Sequence, residues 1–292
     1  DSLSYTATNY NEVFTGVGSI SGITKNDNIN IQNAQFYRTG TDNVLRVTGG
    51  GNDISVNNYD YTQTNKAVKV DGTLVDYSDT INVDLNDKTC TATQYTEIFT
   101  GSGSISRLDN DDKLVLDSET TYTHNATGLV ITDNTNTITV TDYTAGNEPV
   151  VEVDGVADVI SGKVLYVEGL TSFDGTGTHF ASVEITGTSG ADTLKGSSAN
   201  DVITGAAGND TLSGNGGNDV FIYHIGDGHD TIEDAVTGDI IQIEDDLATL
   251  PKIEFVVTEG ENDMGMLIGN LVMTFDENNS ITVKNFDYAH TT

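Results

Sequence analysis

The sequence predicts an all-β protein. A right-handed parallel β-roll lies toward its C-terminal end, preceded by two degenerate β-rich copies of the same larger unit. Three observations carry this reading. Thr, Asn, Asp, Ser and Gly dominate the 292 residues, Pro occurs only twice, and short Val/Ile/Thr runs lie between the turn formers, as in chains of many short strands. A long internal repeat fills the N-terminal half, and a nine-residue Gly/Asp repeat runs from Gly187 to about Glu233.

The long repeat is the first element. Thr91 to Ser106 closely repeats Thr6 to Ser21, and Phe14 to Phe99 sets a period of 85 residues. Asn52 to Tyr59 corresponds to Asn136 to Tyr143, and Val70-Asp71-Gly72 to Val153-Asp154-Gly155. A diverged third copy opens at Asp219-Val220-Phe221, like Glu97-Ile98-Phe99. It continues at Asp239-Ile240-Ile241, like Asp112-Lys113-Leu114, and closes over Asn279 to Phe286. All three alternate apolar and polar residues, so they read as strands with one buried face. The expected organisation is a first degenerate copy over 1–88, a second over 89–148, a β connector over 149–186, the roll over 187–233 and a C-terminal β flank over 234–292.

The nonapeptides are the second element. Four in-phase units begin at Gly187, Gly196, Gly205 and Gly214, and a fifth at Gly226 follows an insertion that sets its Asp230 two residues beyond the nine-residue spacing. Asp192, Asp201, Asp210 and Asp219 each stand two residues before Leu194, Ile203, Leu212 or Phe221, and Asp230 stands two before Ile232. Glycine allows the positive φ of a tight turn and leaves carbonyls free to point inward. The last three residues of each unit make a short strand whose central apolar residue enters the core. With two units per turn, Asp192 stacks near Asp210 and Asp201 near Asp219, on opposite edges. Calcium takes six to eight oxygens at about 2.3–2.6 Å, and carboxylates of stacked turns with turn carbonyls supply such a shell. The pattern resembles the calcium-binding nonapeptide of repeats-in-toxin proteins, and the candidate calcium residues this resemblance implies are Gly187, Gly190, Asp192, Asn200, Asp201, Gly205, Gly208, Asp210, Gly214, Gly217, Asp219, Gly228 and Asp230. In the two N-terminal copies, Ser19, Ser21, Ser104 and Ser106 occupy the stretch where Asp230 falls, which argues against calcium there.

Charge and motifs narrow the function. Forty-five acidic residues face twelve basic ones, a net charge of −33, which excludes nucleic acid and anionic membrane as partners. No apolar run approaches the length of a membrane span. Cys90 is the only cysteine, so neither an intrachain disulfide nor a Cys-rich zinc site can form. The sequence has no H-E-x-x-H, G-x-S-x-G or P-loop motif, and no enzymatic activity is expected.

The nonapeptide pattern G-G-x-G-x-D-x-U-x resembles the calcium-binding repeat of repeats-in-toxin (RTX) proteins, and residues 187–286 resemble their C-terminal regions. The resemblance implies calcium as the cofactor, type I secretion from a Gram-negative bacterium and folding outside the cell. It leaves two classes open. One is a structural protein of surface-layer or adhesin type, self-associating or bound to cell-surface polysaccharide. The other is the C-terminal secretion and folding module of a larger secreted enzyme or toxin. A carbohydrate- or ice-binding face around Thr137 and Thr139 is a weaker third reading, since no regular Thr ladder runs along the chain.

Overall fold

The computed structural model describes residues 3–7, 12–23, 27–39, 43–59, 61, 69–70, 72–75, 80–86, 88–109, 111–245, 254–261 and 267–286. The chain forms two compact units. The first comprises residues 1–120, 130–142 and 149–158, and the second residues 121–129, 143–148 and 159–292.

The first unit is built on a ten-stranded sheet in the order Leu3–Thr6, Val17–Ser21, Asn52–Asn57, Val44–Gly49, Gln35–Thr39, Thr80–Asp84, Thr96–Thr100, Lys113–Leu116, Val151–Val153, Val156–Ala157. Most neighbours run parallel. The meander over residues 35–57 is antiparallel, as is the final pair. Lys88–Thr91, Gly103–Ser106 and Thr137–Val140 pair in parallel as a second set. The four strands Val13–Phe14, Asn28–Ile29, Lys69–Val70 and Thr73–Leu74 form a small sheet. Period-2 alternation sets which side is buried. Leu45, Val47, Val56, Ile81, Val83, Phe99, Ile105, Leu114 and Leu116 are all 0% exposed, while the residues between them face outward or lie half-buried.

The second unit is the roll. One wall stacks Thr121–Asn125, Val164–Glu168, Ser182–Thr186, Val202–Thr204, Val220–Tyr223 and Ile240–Ile243, parallel throughout. The other stacks Ser172–Asp174, Thr193–Lys195, Thr211–Ser213, His229–Ile232 and Asn279–Phe286, also parallel. Leu267–Asp276 and Glu254–Glu261 then close that wall antiparallel. Successive nonapeptides alternate between the walls, so two make one turn. Ile185, Ile203 and Phe221 align on one wall, and Phe173, Leu194 and Leu212 on the other. Leu194, Ile203, Leu212, Phe221 and Ile232 are at most 3% exposed and fill the space between the walls, as their in-phase spacing requires. Residues 164–186, read as a connector from sequence, are turns of this same stack.

The three copies share a strand plan. Val17–Ser21 pairs parallel with Asn52–Asn57, Gly103–Ser106 with Thr137–Val140, and His229–Ile232 with Asn279–Phe286. Val13–Phe14 pairs parallel with Asn28–Ile29, Thr96–Thr100 with Lys113–Leu116, and Val220–Tyr223 with Ile240–Ile243.

Candidate metal centre

The roll places its acids in two columns, one on each edge. On one edge the backbone N–H of Asp192 donates to Asp210 Oδ1 at 2.8 Å, and that of Asp210 to Asp230 Oδ1 at 3.0 Å. On the other, Val183 N–H donates to Asp201 Oδ1 at 2.7 Å, Asp201 N–H to Asp219 Oδ1 at 2.9 Å, and Asp219 N–H to Asp239 Oδ1 at 2.9 Å. Oδ1 of Asp201, Asp210, Asp219, Asp230 and Asp239 is thus a rung between turns, whereas Asp192 only donates its N–H to one. Asp192, Asp201, Asp210, Asp219 and Asp230 are 1–3% exposed.

In Asp192, Asp201, Asp210 and Asp219, Oδ2 faces the first glycine of its own repeat. A Cβ added to Gly196 would lie 2.5 Å from Asp201 Oδ2 and 2.8 Å from Gly214 O. Gly187 likewise faces Asp192 Oδ2 and Gly205 O, while Gly205 faces Asp210 Oδ2 and Gly214 faces Asp219 Oδ2. Carboxylate and carbonyl oxygens therefore converge on a space that any side chain would fill, the donor set that suits a hard cation.

The four turns are not equivalent. Thr188 donates its N–H to Asp192 Oδ2 at 2.6 Å and its hydroxyl to Asp192 Oδ1 at 2.9 Å. Ser197 does the same for Asp201, N–H at 2.5 Å and hydroxyl at 3.0–3.1 Å. Ala206 has no hydroxyl and adopts φ 63°. Asp210 Oδ2 is left buried with no hydrogen-bond partner. In the fourth turn Asn215, at φ 67°, sends its N–H to Asp234 Oδ2 at 2.9 Å and not to Asp219. A buried acceptor without a donor costs about 1–3 kcal/mol, and a bound cation removes that cost. The residues present fit calcium, with Asp210 the most open ligand.

Electrostatics agree. Burial pushes the Asp210 carboxyl up to about 6, with Asp192 and Asp227 adding repulsion. Asp219 is also raised to about 6 by burial, then by Asp201, Asp239 and Asp234. Asp230 reaches about 7 through burial, Asp210 and Asp227. Among the described residues no three His, Cys, Asp or Glu side chains cluster as a metal site; a calcium shell here draws on turn carbonyls for the remainder.

Other expected ligands have structural posts. Asn200 Oδ1 accepts the N–H of Asn218 at 2.8 Å, a rung like that of Asn209 Oδ1 to His229 N–H at 3.0 Å. Gly208, at φ 148°, stands over the turn beneath it, where a Cβ would lie 2.5 Å from Gly190 O. Gly217 is pressed in the same way on Ala199 O, and Gly228 on Gly208 O. Gly190 contributes the carbonyl of that contact and has open space of its own.

Sequence reasoning missed Asp239, Asp234 and Asp227. Asp239 carried a signal, since Asp239-Ile240-Ile241 fits the D-x-U spacing. It also missed acids in the first unit. Gly18 and Gly103 do stand in the place of Asp230, so that edge has lost its acids. The other edge keeps them: Glu12 N–H donates to Asp27 Oδ1 at 3.0 Å, and Glu97 N–H to Asp112 Oδ1 at 2.9 Å. The serines alone were therefore an incomplete argument against calcium in these copies. Both oxygens of Asp112 accept backbone N–H groups, Oδ1 that of Glu97 and Oδ2 that of Asp109 at 3.0 Å. Glu97 is met by Arg38 Nε at 2.5 Å and Thr93 N–H at 2.7 Å.

No curated protein matches this chain. The RTX calcium-binding nonapeptide repeat matches residues 186–221 in four copies, the same turns that carry the two acid columns. Residues 186–221 are RTX calcium-binding nonapeptide repeats, and their ion is Ca²⁺.

Proposed function

We propose that the chain is a calcium-folded structural module of a type I-secreted bacterial surface protein, of surface-layer or adhesin type, with no catalytic activity of its own. The observation that carries this is the reuse of one strand plan in all three copies: turns that hold acids for calcium and turns that do not are built as the same scaffold. Quasi-one-dimensional stacking of this kind makes extended walls, not an enclosed cleft. The exposed acidic surface keeps such a chain soluble without calcium. Export and folding are coupled in this reading. At low cytosolic calcium the roll lacks its counter-cations, and outside the cell it gains them. The test is light scattering and electron microscopy of the purified chain with EDTA and with millimolar calcium. Ordered, calcium-dependent assemblies are expected. A chain that folds with calcium, stays monomeric and promotes export of a fused passenger enzyme would overturn the surface-layer reading in favour of a secretion and folding module.

A further inference from the structure

The first unit contains a joint between copies, and one half of that joint is open. Thr80–Asp84, the last long strand of the first copy, pairs in parallel with Thr96–Thr100 of the second, with Asn82 opposite Ile98 and Val83 opposite Phe99. A comparable parallel pair lies inside the second unit, where Val164–Glu168 pairs with Ser182–Thr186. In the first joint Arg38 crosses from one copy to the other. Its guanidinium binds Glu97 at 2.5 Å and lies over the Phe99 ring at 5.9 Å.

Val13–Phe14 is the counterpart of Thr96–Thr100 at the 85-residue spacing. It is the edge of its small sheet, and among the described residues no strand lies on its outer side. Its carbonyls show which side is open. Asn28 N–H donates to Glu12 O and Asn30 N–H to Phe14 O. The N–H and C=O of Val13 therefore point the other way, toward the free edge. Exposure follows. Glu97 and Phe99 are 0% exposed, whereas Glu12 and Phe14 are half-buried, and Val13 and Val17 are 65% and 56% exposed. Tyr5, Val13, Phe14, Val17 and Ile54 line an open groove of about 440 Å³ beside this edge.

We infer that the Val13–Phe14 edge is a docking site for a further copy of this 85-residue unit, which adds its Thr80–Asp84 strand in parallel and brings its Arg38 beside Glu12, whose carboxylate already accepts the Tyr5 hydroxyl at 2.7 Å. A second molecule of the folded chain does not fit, because its own Thr80–Asp84 already lies between Gln35–Thr39 and Thr96–Thr100. A unit joined in series does. The inference stands apart from the calcium reading, since no calcium residue takes part.

The test fuses another copy of residues 1–85 in front of Asp1 of the full chain and follows hydrogen exchange by mass spectrometry in calcium. Exchange over residues 12–17 is expected to slow by about tenfold or more relative to the unfused chain, approaching that of residues 97–102. Val13→Pro removes the N–H on the open edge. It should leave the unfused chain folded, yet restore fast exchange at the added Thr80–Asp84 strand. Arg38→Leu in the added copy should partly restore fast exchange over 12–17. Unchanged exchange over 12–17, an added copy unprotected throughout, or slowing that survives Val13→Pro would each overturn the inference. So would a dimeric unfused chain in which residues 12–17 are already protected.

Discussion

Asp210 does two jobs that substitution can separate. Oδ1 accepts the N–H of buried Asp192, and Oδ2 faces the calcium space without a protein donor. Asp210→Asn keeps an acceptor for Asp192 but removes the charge; Asp210→Ala removes both. In EDTA the Ala variant leaves a buried N–H unsatisfied, a loss of about 1–3 kcal/mol, or roughly 2–12 °C in Tm at about 2–4 °C per kcal/mol for a domain of this size. The Asn variant in EDTA should be at least as stable as the parent, because it no longer buries a charge beside Asp192 and Asp227. Calcium at tenfold excess over Kd adds about 1.4 kcal/mol per site. Asp210 stacks between two turns, so both variants should forfeit two such increments, about 3 kcal/mol. Asp192→Ala should lose less, since the carboxylate of Asp192 is tied to Thr188 and carries no rung from a neighbouring turn. The assay is thermal unfolding of parent and variants by circular dichroism with EDTA and with calcium. An Asn variant that keeps the full calcium shift, or an Ala variant as stable as Asn in EDTA, would refute the division of labour.

Without calcium the roll should also respond to acid. The raised carboxyls of Asp210 (about 6), Asp219 (about 6) and Asp230 (about 7) bind protons in the folded state that the unfolded chain binds only near pH 4. Their contribution is complete below about pH 4 and is lost as pH rises through 6–7, so circular dichroism in EDTA should show more native signal at pH 5 than at pH 8. Phe221→Ala, at a site 2% exposed, should cost about 3–5 kcal/mol in denaturant titrations with calcium present, and a cost under about 1 kcal/mol would contradict its place between the walls. Gly208→Ala should lower Tm in both EDTA and calcium, because Cβ meets Gly190 O and φ is positive; an unchanged Tm would mean the stacked turns separate freely. Calorimetry on residues 1–148 should detect no calcium binding of useful affinity, and several tight sites there would show that the retained Glu97–Asp112 edge still holds metal.

The roll was legible because its period is short. Nine-residue spacing fixes strand, turn and acid together, so Leu194 to Ile232 and Asp192 to Asp230 follow from counting. The differences among turns were not legible from the pattern alone. Thr188, Ser197, Ala206 and Asn215 occupy one repeat position, and only the hydrogen bonds reveal that the first two close their Asp while Ala206 leaves Asp210 open. Asn200 reads as a ligand by type, yet its amide oxygen serves the next turn. In the long repeat, similarity located the copies but not the pairing. The Thr80–Asp84 joint depends on contacts between copies, which no single copy encodes.

The retained acid edge explains how one scaffold can stand with and without a diffusible ion. Glu97 occupies the place of Asp219 on the shared plan, donating its N–H to Asp112 as Asp219 does to Asp239. A carboxylate buried there needs positive charge or several donors. In the roll that charge is a bound cation. In the first unit it is Arg38, 6% exposed, which reaches Glu97 through Nε and Thr91 O through its Nη2 at 3.2 Å, and stacks over Tyr61 and Phe99. The guanidinium thus meets a carboxylate, a backbone carbonyl and aromatic ring faces, replacing with a covalently attached cation part of what calcium supplies elsewhere. Burial and the Glu97 pair act on it in opposite directions, and its pKa is raised on balance, so it stays charged at any physiological pH. Removing one partner of such a pair costs about 3–5 kcal/mol because the other charge is left buried. An attached cation is present at every calcium concentration, and the first unit therefore has a source of order that does not depend on calcium.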